Sequence, residues 1–121
     1  MQIRPFTEAD TDAVIALWQA CGLTRPWNDP LRDIQRKLTV QRELFLVGEA
    51  DGRLVASAMA GYDGHRGWVN YLAVVPDAQG LGYGRALMAH IEAALLARGC
   101  PKLNLQVRSS NTAVLAFYRQ L

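Results

Sequence analysis

Leu72-Ala73-Val74-Val75-Pro76-Asp77-Ala78-Gln79-Gly80-Leu81-Gly82-Tyr83-Gly84-Arg85 leads from an apolar run through a glycine-rich turn into an amphipathic one. The pattern predicts a strand over Trp68 to Val75, stopped by Pro76. Gly84, Leu87, Met88, Ile91 and Leu95 then keep a helical stripe up to Arg98-Gly99. At such a strand-to-helix turn the first helical amides have no partner and point outward with the helix dipole behind them, which makes an anion site. Glycine at positions 82 and 84 lets phosphate oxygens approach the backbone, where a side chain would stand in their way. The plain alternative is a helix start with a flexible lead-in.

Upstream, Ile3 and Pro5 open a short strand, and Thr7 with Asp10 resembles a capping box for the helix that follows. Val14, Leu17, Trp18 and Cys21 fall on one face of that helix, which Gly22 ends. The two prolines of Thr24 to Pro30 forbid regular structure and leave an exposed turn with a tryptophan. Asp29-Pro30 then starts a second helix with Leu31, Ile34 and Leu38 facing inward. Leu44 to Ala50 and Arg53 to Tyr62 are two strand-like runs separated by Asp51-Gly52, a hairpin signal, so they are expected to pair antiparallel. Asp63 to Gly67 makes the next turn. Downstream of the glycine turn, Leu103, Leu105 and Val107 alternate as a strand, and Asn111 to Leu121 begins a last helix. This order describes an α/β (α+β) domain with a mixed sheet.

The chain has 121 residues, enough for one domain over 1–121 and no second. Half of the residues are apolar and a fifth charged, the balance of a globular protein. The 13 Lys+Arg and 11 Asp+Glu are interleaved, without the basic stripe that a nucleic-acid partner needs. No segment has signal-peptide character or the ~20 apolar residues of a membrane span, so a cytoplasmic location without a membrane partner is expected. Cys21 and Cys100 stand far apart without metal-ligand spacing, which predicts two reduced, packed thiols and no metal.

Two better-known phosphate loops do not fit. A dinucleotide fold requires G-x-G-x-x-G, but Arg85 stands three residues after Gly82; a P-loop requires G-x-x-x-x-G-K-[ST], and nothing of the kind follows Gly80. The remaining pattern is Q-x-x-G-x-G, carried by Gln79, Gly82 and Gly84 after Leu72-Ala73-Val74-Val75-Pro76. It resembles the acetyl-CoA signature of the GNAT acetyltransferase superfamily. Asn111 with Phe117-Tyr118 resembles the second pattern of that family, an asparagine with a tyrosine seven residues on. Within the superfamily the chain is most similar to small bacterial YpeA-like proteins.

The resemblance implies a GNAT-like mixed, mostly antiparallel sheet flanked by helices. It also implies acetyl-CoA as co-substrate and acetyl transfer to a primary amine by direct attack. The pantetheine arm would pair with the backbone of Leu72, Ala73 and Val74, and the Val74 amide would steady the developing oxyanion. Gly80, Leu81, Gly82, Tyr83, Gly84 and Arg85 would form the pyrophosphate turn, with Gln79 bracing it. Tyr83 as an exposed ring and Arg85 as a solvated helix residue are the plain alternatives. Asn111 would contact the pantetheine, and is equally a good N-cap. Tyr118 would protonate the departing thiolate, against the alternative of a core aromatic.

The acceptor is an amine of a protein or of a small molecule, and it must lose a proton before attack. Glu49, Asp63 and His65 are candidate bases by residue type, each equally readable as a solvated turn or strand-end residue. By resemblance Trp27 and Asp29 would border the acceptor groove; an apolar anchor and a helix cap are the alternatives. RimI-like enzymes carry a glutamate where this chain has Gln106, which cannot accept that proton.

Family members continue past the F-Y helix with a closing hairpin of two strands, and this sequence ends at Leu121. The expectation is an exposed edge on the Leu103 to Val107 strand, hence reduced stability or a homodimer through that edge. Two rival readings stand beside the enzyme: a catalytically weak or inactive GNAT-like acyl-CoA-binding module, and a structural domain whose glycine turn is only a turn.

Overall fold

A computed structural model describes residues 1–24, 26–101 and, as backbone, 105–108. Strand β1 (Gln2–Pro5) runs into a 3-10 turn at Glu8–Asp10 and then helix α1 (Thr11–Ala20). Asp10 accepts the Thr7 N–H at 2.8 Å, the predicted capping contact. Helix α2 (Pro30–Lys37) begins with proline in its first turn, and the Asp29 carboxylate caps it by accepting the Arg32 N–H. Strands β2 (Phe45–Ala50), β3 (Arg53–Tyr62) and β4 (Gly67–Val74), helix α3 (Tyr83–Ala97) and strand β5 (Leu105–Arg108) follow.

The sheet order is β1-β2-β3-β4-β5. The first four strands are antiparallel neighbours, and β5 joins β4 in parallel, so the sheet is mixed and mostly antiparallel. Asp51 and Gly52 join β2 to β3, both at positive φ (54° and 77°), the geometry of a two-residue type I′ turn.

Each sheet face has its own apolar cluster. On one, Leu87, Met88, Ile91 and Leu95 of α3 pack on Leu46, Val55, Ala58, Val69 and Leu72. On the other, Val14, Leu17 and Trp18 of α1 and Ile34 of α2 pack on Phe45, Val47, Met59 and Ala73. Trp18 is fully buried, and its indole N–H donates to the buried Ser57 hydroxyl at 2.9 Å, tying α1 to the middle of β3.

The expectation that Leu31 faces inward is corrected: it is 45% exposed. Helix α2 instead turns Asp33, Ile34 and Lys37 toward the sheet, because Asp33 and Lys37 find polar partners in Tyr71 and the Ala60 carbonyl. Neither cysteine is paired; Cys100 is buried and Cys21 half-buried. No helix among the described residues is long and apolar enough to cross a membrane.

Candidate active site

Strand β4 is irregular where it leaves the sheet. Ser57 of β3 lies opposite Ala73 while Met59 lies opposite Asn70, so Ala58 faces two residues of β4, Tyr71 and Leu72. That is a β-bulge. Tyr71 adopts φ 54° within it, a left-handed conformation that costs a non-glycine residue about 1–3 kcal/mol. Beyond the bulge, the Val75 N–H donates to the Val55 carbonyl at 2.8 Å. By the alternation of an antiparallel ladder, the N–H and C=O of Val74 therefore face away from β3, toward the β5 side. The described residues of β5 pair with Gly67 to Asn70, so among the described residues no strand lies beside the Val74 peptide on that side. Leu72 and Ala73 have buried side chains, so only their backbone can serve a ligand there.

The turn after β4 is built for an anion. A 3-10 turn over Pro76–Ala78 leads into Gly80 (φ 87°) and Gly82 (φ 84°), which caps α3. The left-handed backbone explains both glycines without any clash: a Cβ at either one meets no protein atom within 4 Å. Among the described residues nothing stands beside these two glycines. The amides at the start of α3, through Tyr83, Gly84 and Arg85, precede the first helical hydrogen bond, which runs from the Ala86 N–H to the Gly82 carbonyl. The first turn of α3 carries no acidic residue. Asp77, the acid of the preceding turn, is held by Arg53 at 2.6 Å. An anion at this end of α3 would meet the positive end of the helix dipole and no acidic side chain in the first turn.

The two halves are physically joined. The Gln79 side-chain amide donates to the Val74 carbonyl at 3.0 Å, and the Cys21 thiol donates to the same oxygen at 3.2 Å. Burial pushes the Cys21 thiol up, so it stays protonated as that donor. Tyr83 is half-buried against the α3-side core, which corrects the reading of it as an exposed ring. Leu81 is 65% exposed on the rim of the turn.

Two residues not singled out in the sequence sit beside the bulge. The Tyr71 ring stacks on Trp18 with centroids 4.0 Å apart, and its hydroxyl donates to Asp33 of α2 at 2.6 Å. Burial first, and the neighbouring Asp33 carboxylate second, raise the Tyr71 phenol well above its ordinary value. It stays protonated. No local pattern marks either residue; 38 positions separate them.

The acceptor-side candidates are dispersed. Glu49 pairs with Gln2 of β1 and its carboxylate is bound by Arg4, two strands away from β4. Asp63 and His65 lie in the hairpin before β4, roughly 20 Å from Val74 at the ~3.3 Å rise of a strand. Asp63 accepts the N–H groups of His65 and Arg66 at 2.8 and 2.7 Å, and the Arg66 contact chiefly holds it below the usual carboxylate range. The Glu49 and Asp63 carboxylates thus have structural partners, and the described residues do not bring the three candidates together. Asp29 is a helix cap, and Trp27 is 79% exposed, which rules out an apolar anchor. Asn111, Phe117, Tyr118 and Leu103 lie outside the described residues.

The sequence profile of the Acetyltransferase (GNAT) family covers residues 7–121. The chain belongs to the GNAT acetyltransferase family. An acetyltransferase of Yersinia enterocolitica is 54% identical over all of this chain and 86% of its own length. Among solved GNAT-like structures, N-acetylglutamate synthase from Neisseria gonorrhoeae, crystallised with coenzyme A and L-arginine, superimposes with a TM-score of 0.73. It is 27% identical over 98% of this chain and 26% of that one. A ribosomal-protein-alanine N-acetyltransferase from Brucella melitensis superimposes at 0.72, with 28% identity over 99% of this chain and 82% of that one.

Proposed function

We propose that this GNAT chain moves an acetyl group from acetyl-CoA to a primary amine by direct attack, in the cytoplasm. The observation that carries the reading is the continuity of backbone from the Val74 peptide, which faces away from β3, to the glycine-rich start of α3 at Gly82 to Arg85. Acetyl-CoA lies across both: the diphosphate at the start of α3, the pantetheine along Leu72 to Val74, the thioester at the end of β4. As the neutral amine attacks, the thioester oxygen gathers negative charge beside the Val74 N–H. One preorganised donor at that position is worth roughly 3 kcal/mol. Collapse breaks the C–S bond and expels a thiolate, which takes a proton from Tyr118; the nitrogen sheds its surplus proton to water, and water returns one to the Tyr118 phenolate, while Asn111 holds the pantetheine. The synthase crystallised with coenzyme A and the ribosomal-protein-alanine N-acetyltransferase, both similar in fold, support the reading.

The test is release of free thiol from acetyl-CoA on adding a panel of protein amino termini, lysines, polyamines and small amines. Acetyl-CoA binding without thiol release from any acceptor would replace the enzyme with an acyl-CoA-binding module.

A further inference from the structure

The bulge that turns the Val74 peptide away from β3 is held from outside the strand. Tyr71 alone among the described residues of β4 departs into the left-handed region, and two contacts hold it, one of them braced by a third. Its ring lies against Trp18, its hydroxyl is bound by Asp33, and Trp18 is itself fixed by Ser57, the residue opposite Ala73. Asp33 comes from α2, whose Ile34 is buried beside it. A regular strand has no use for this arrangement: relaxing Tyr71 to extended backbone would restore the ladder with β3 and rotate the following peptides by one position, turning the Val74 N–H back toward β3.

The geometry points to Asp33 and Tyr71 as a positioning pair, a latch from α2 that holds the β4 bulge and so aims the Val74 amide. Neither touches the reacting atoms. The inference rests on the acetyl-transfer reading for its purpose, but the latch itself is a property of the folded chain. The hydrogen bond, rather than the charge, is what it requires. Asparagine at position 33 keeps an oxygen that accepts the Tyr71 O–H; alanine keeps none.

The experiment compares Tyr71→Phe, Asp33→Ala and Asp33→Asn in the full chain by two readouts. The first is amide hydrogen exchange over 71–74, which needs no turnover and therefore judges the latch even if every amine proves inert. The second is the split between kcat and the KM for acetyl-CoA. Tyr71→Phe and Asp33→Ala are expected to speed exchange over 71–74 about tenfold and to lower kcat ~10- to 100-fold, the scale of a small misplacement of a catalytic group. Their KM for acetyl-CoA should rise by less than kcat falls, since the pantetheine strand shifts while the α3 amides are untouched. Asp33→Asn should restore both readouts. Unchanged exchange in Tyr71→Phe and Asp33→Ala overturns the latch. So does an Asp33→Asn variant as slow as Asp33→Ala with native exchange, because the carboxylate charge would then act on the acceptor itself.

Discussion

Gln79 reaches back across the turn to Val74, its Nε2 donating to the strand's last carbonyl at 3.0 Å. One side chain thereby ties the end of β4 to the turn before α3, the two parts that the proposed reading assigns to thioester and diphosphate. Removing it with Gln79→Ala should weaken acetyl-CoA binding about 2- to 10-fold, the worth of one net hydrogen bond. Calorimetric titration checks this; an unchanged dissociation constant would make Gln79 a bystander.

Gly82 is the next lever. At φ 84° it sits where L-residues rarely go, although nothing crowds its missing side chain. Gly82→Ala should therefore cost about 1–2 kcal/mol of stability through backbone strain alone. It should also weaken acetyl-CoA binding, because the new methyl would stand beside the amides. Urea unfolding and titration separate the two effects, and a variant with unaltered affinity would show that the ligand does not approach there.

The Trp18–Ser57 bond makes a core prediction. Trp18→Phe preserves an aromatic ring against Tyr71 but leaves the fully buried Ser57 hydroxyl without its donor. The expected loss is about 1–3 kcal/mol, read from the shift in unfolding midpoint. A shift within ±0.5 kcal/mol would mean that a water or the backbone takes over the contact.

Acid sensitivity follows from Asp10. Both guanidinium nitrogens of Arg4 donate to its carboxylate at 2.8 Å, and that contact chiefly depresses its pKa from 3.8 to about 2. The folded value lies below the unfolded one, so the contribution is present above about pH 4 and fades as pH falls toward 2. Because Arg4 remains partly exposed, a worth of about 1–2 kcal/mol is expected after screening. Asp10→Asn should be less stable by that amount at neutral pH, and the gap should close near pH 2. A gap independent of pH, in unfolding curves collected across that range, would contradict it.

Most of the architecture was legible because its signals are local. Asp51-Gly52 can adopt positive φ at both turn positions, Asp29-Pro30 is a helix start by capping chemistry, and the Leu87, Met88, Ile91, Leu95 stripe is a one-sided helix. The glycine turn was legible for the same reason. The bulge was not: Trp68 to Val75 reads as an uninterrupted strand, and the extra residue becomes visible only once β3 supplies the register. Asp33 and Lys37 were equally hidden. Polar residues on an inward helix face look like solvent positions until their partners, Tyr71 and the Ala60 carbonyl, arrive from the sheet. Glu49, Asp63 and His65 had the right chemistry by type, but the sheet puts Glu49 on β2, two strands from β4, and Asp63 and His65 at the opposite end of β4 from Val74.

The central claim is that the backbone amides from Val74 to Arg85 receive acetyl-CoA. It is tested most directly by following the amide resonances of the labelled, folded chain during an acetyl-CoA titration. The account predicts saturable shifts concentrated at Val74, Gly82, Tyr83, Gly84 and Arg85, with a dissociation constant between ~1 μM and ~1 mM. A well-dispersed spectrum in which these amides stay unmoved at millimolar acetyl-CoA would contradict it.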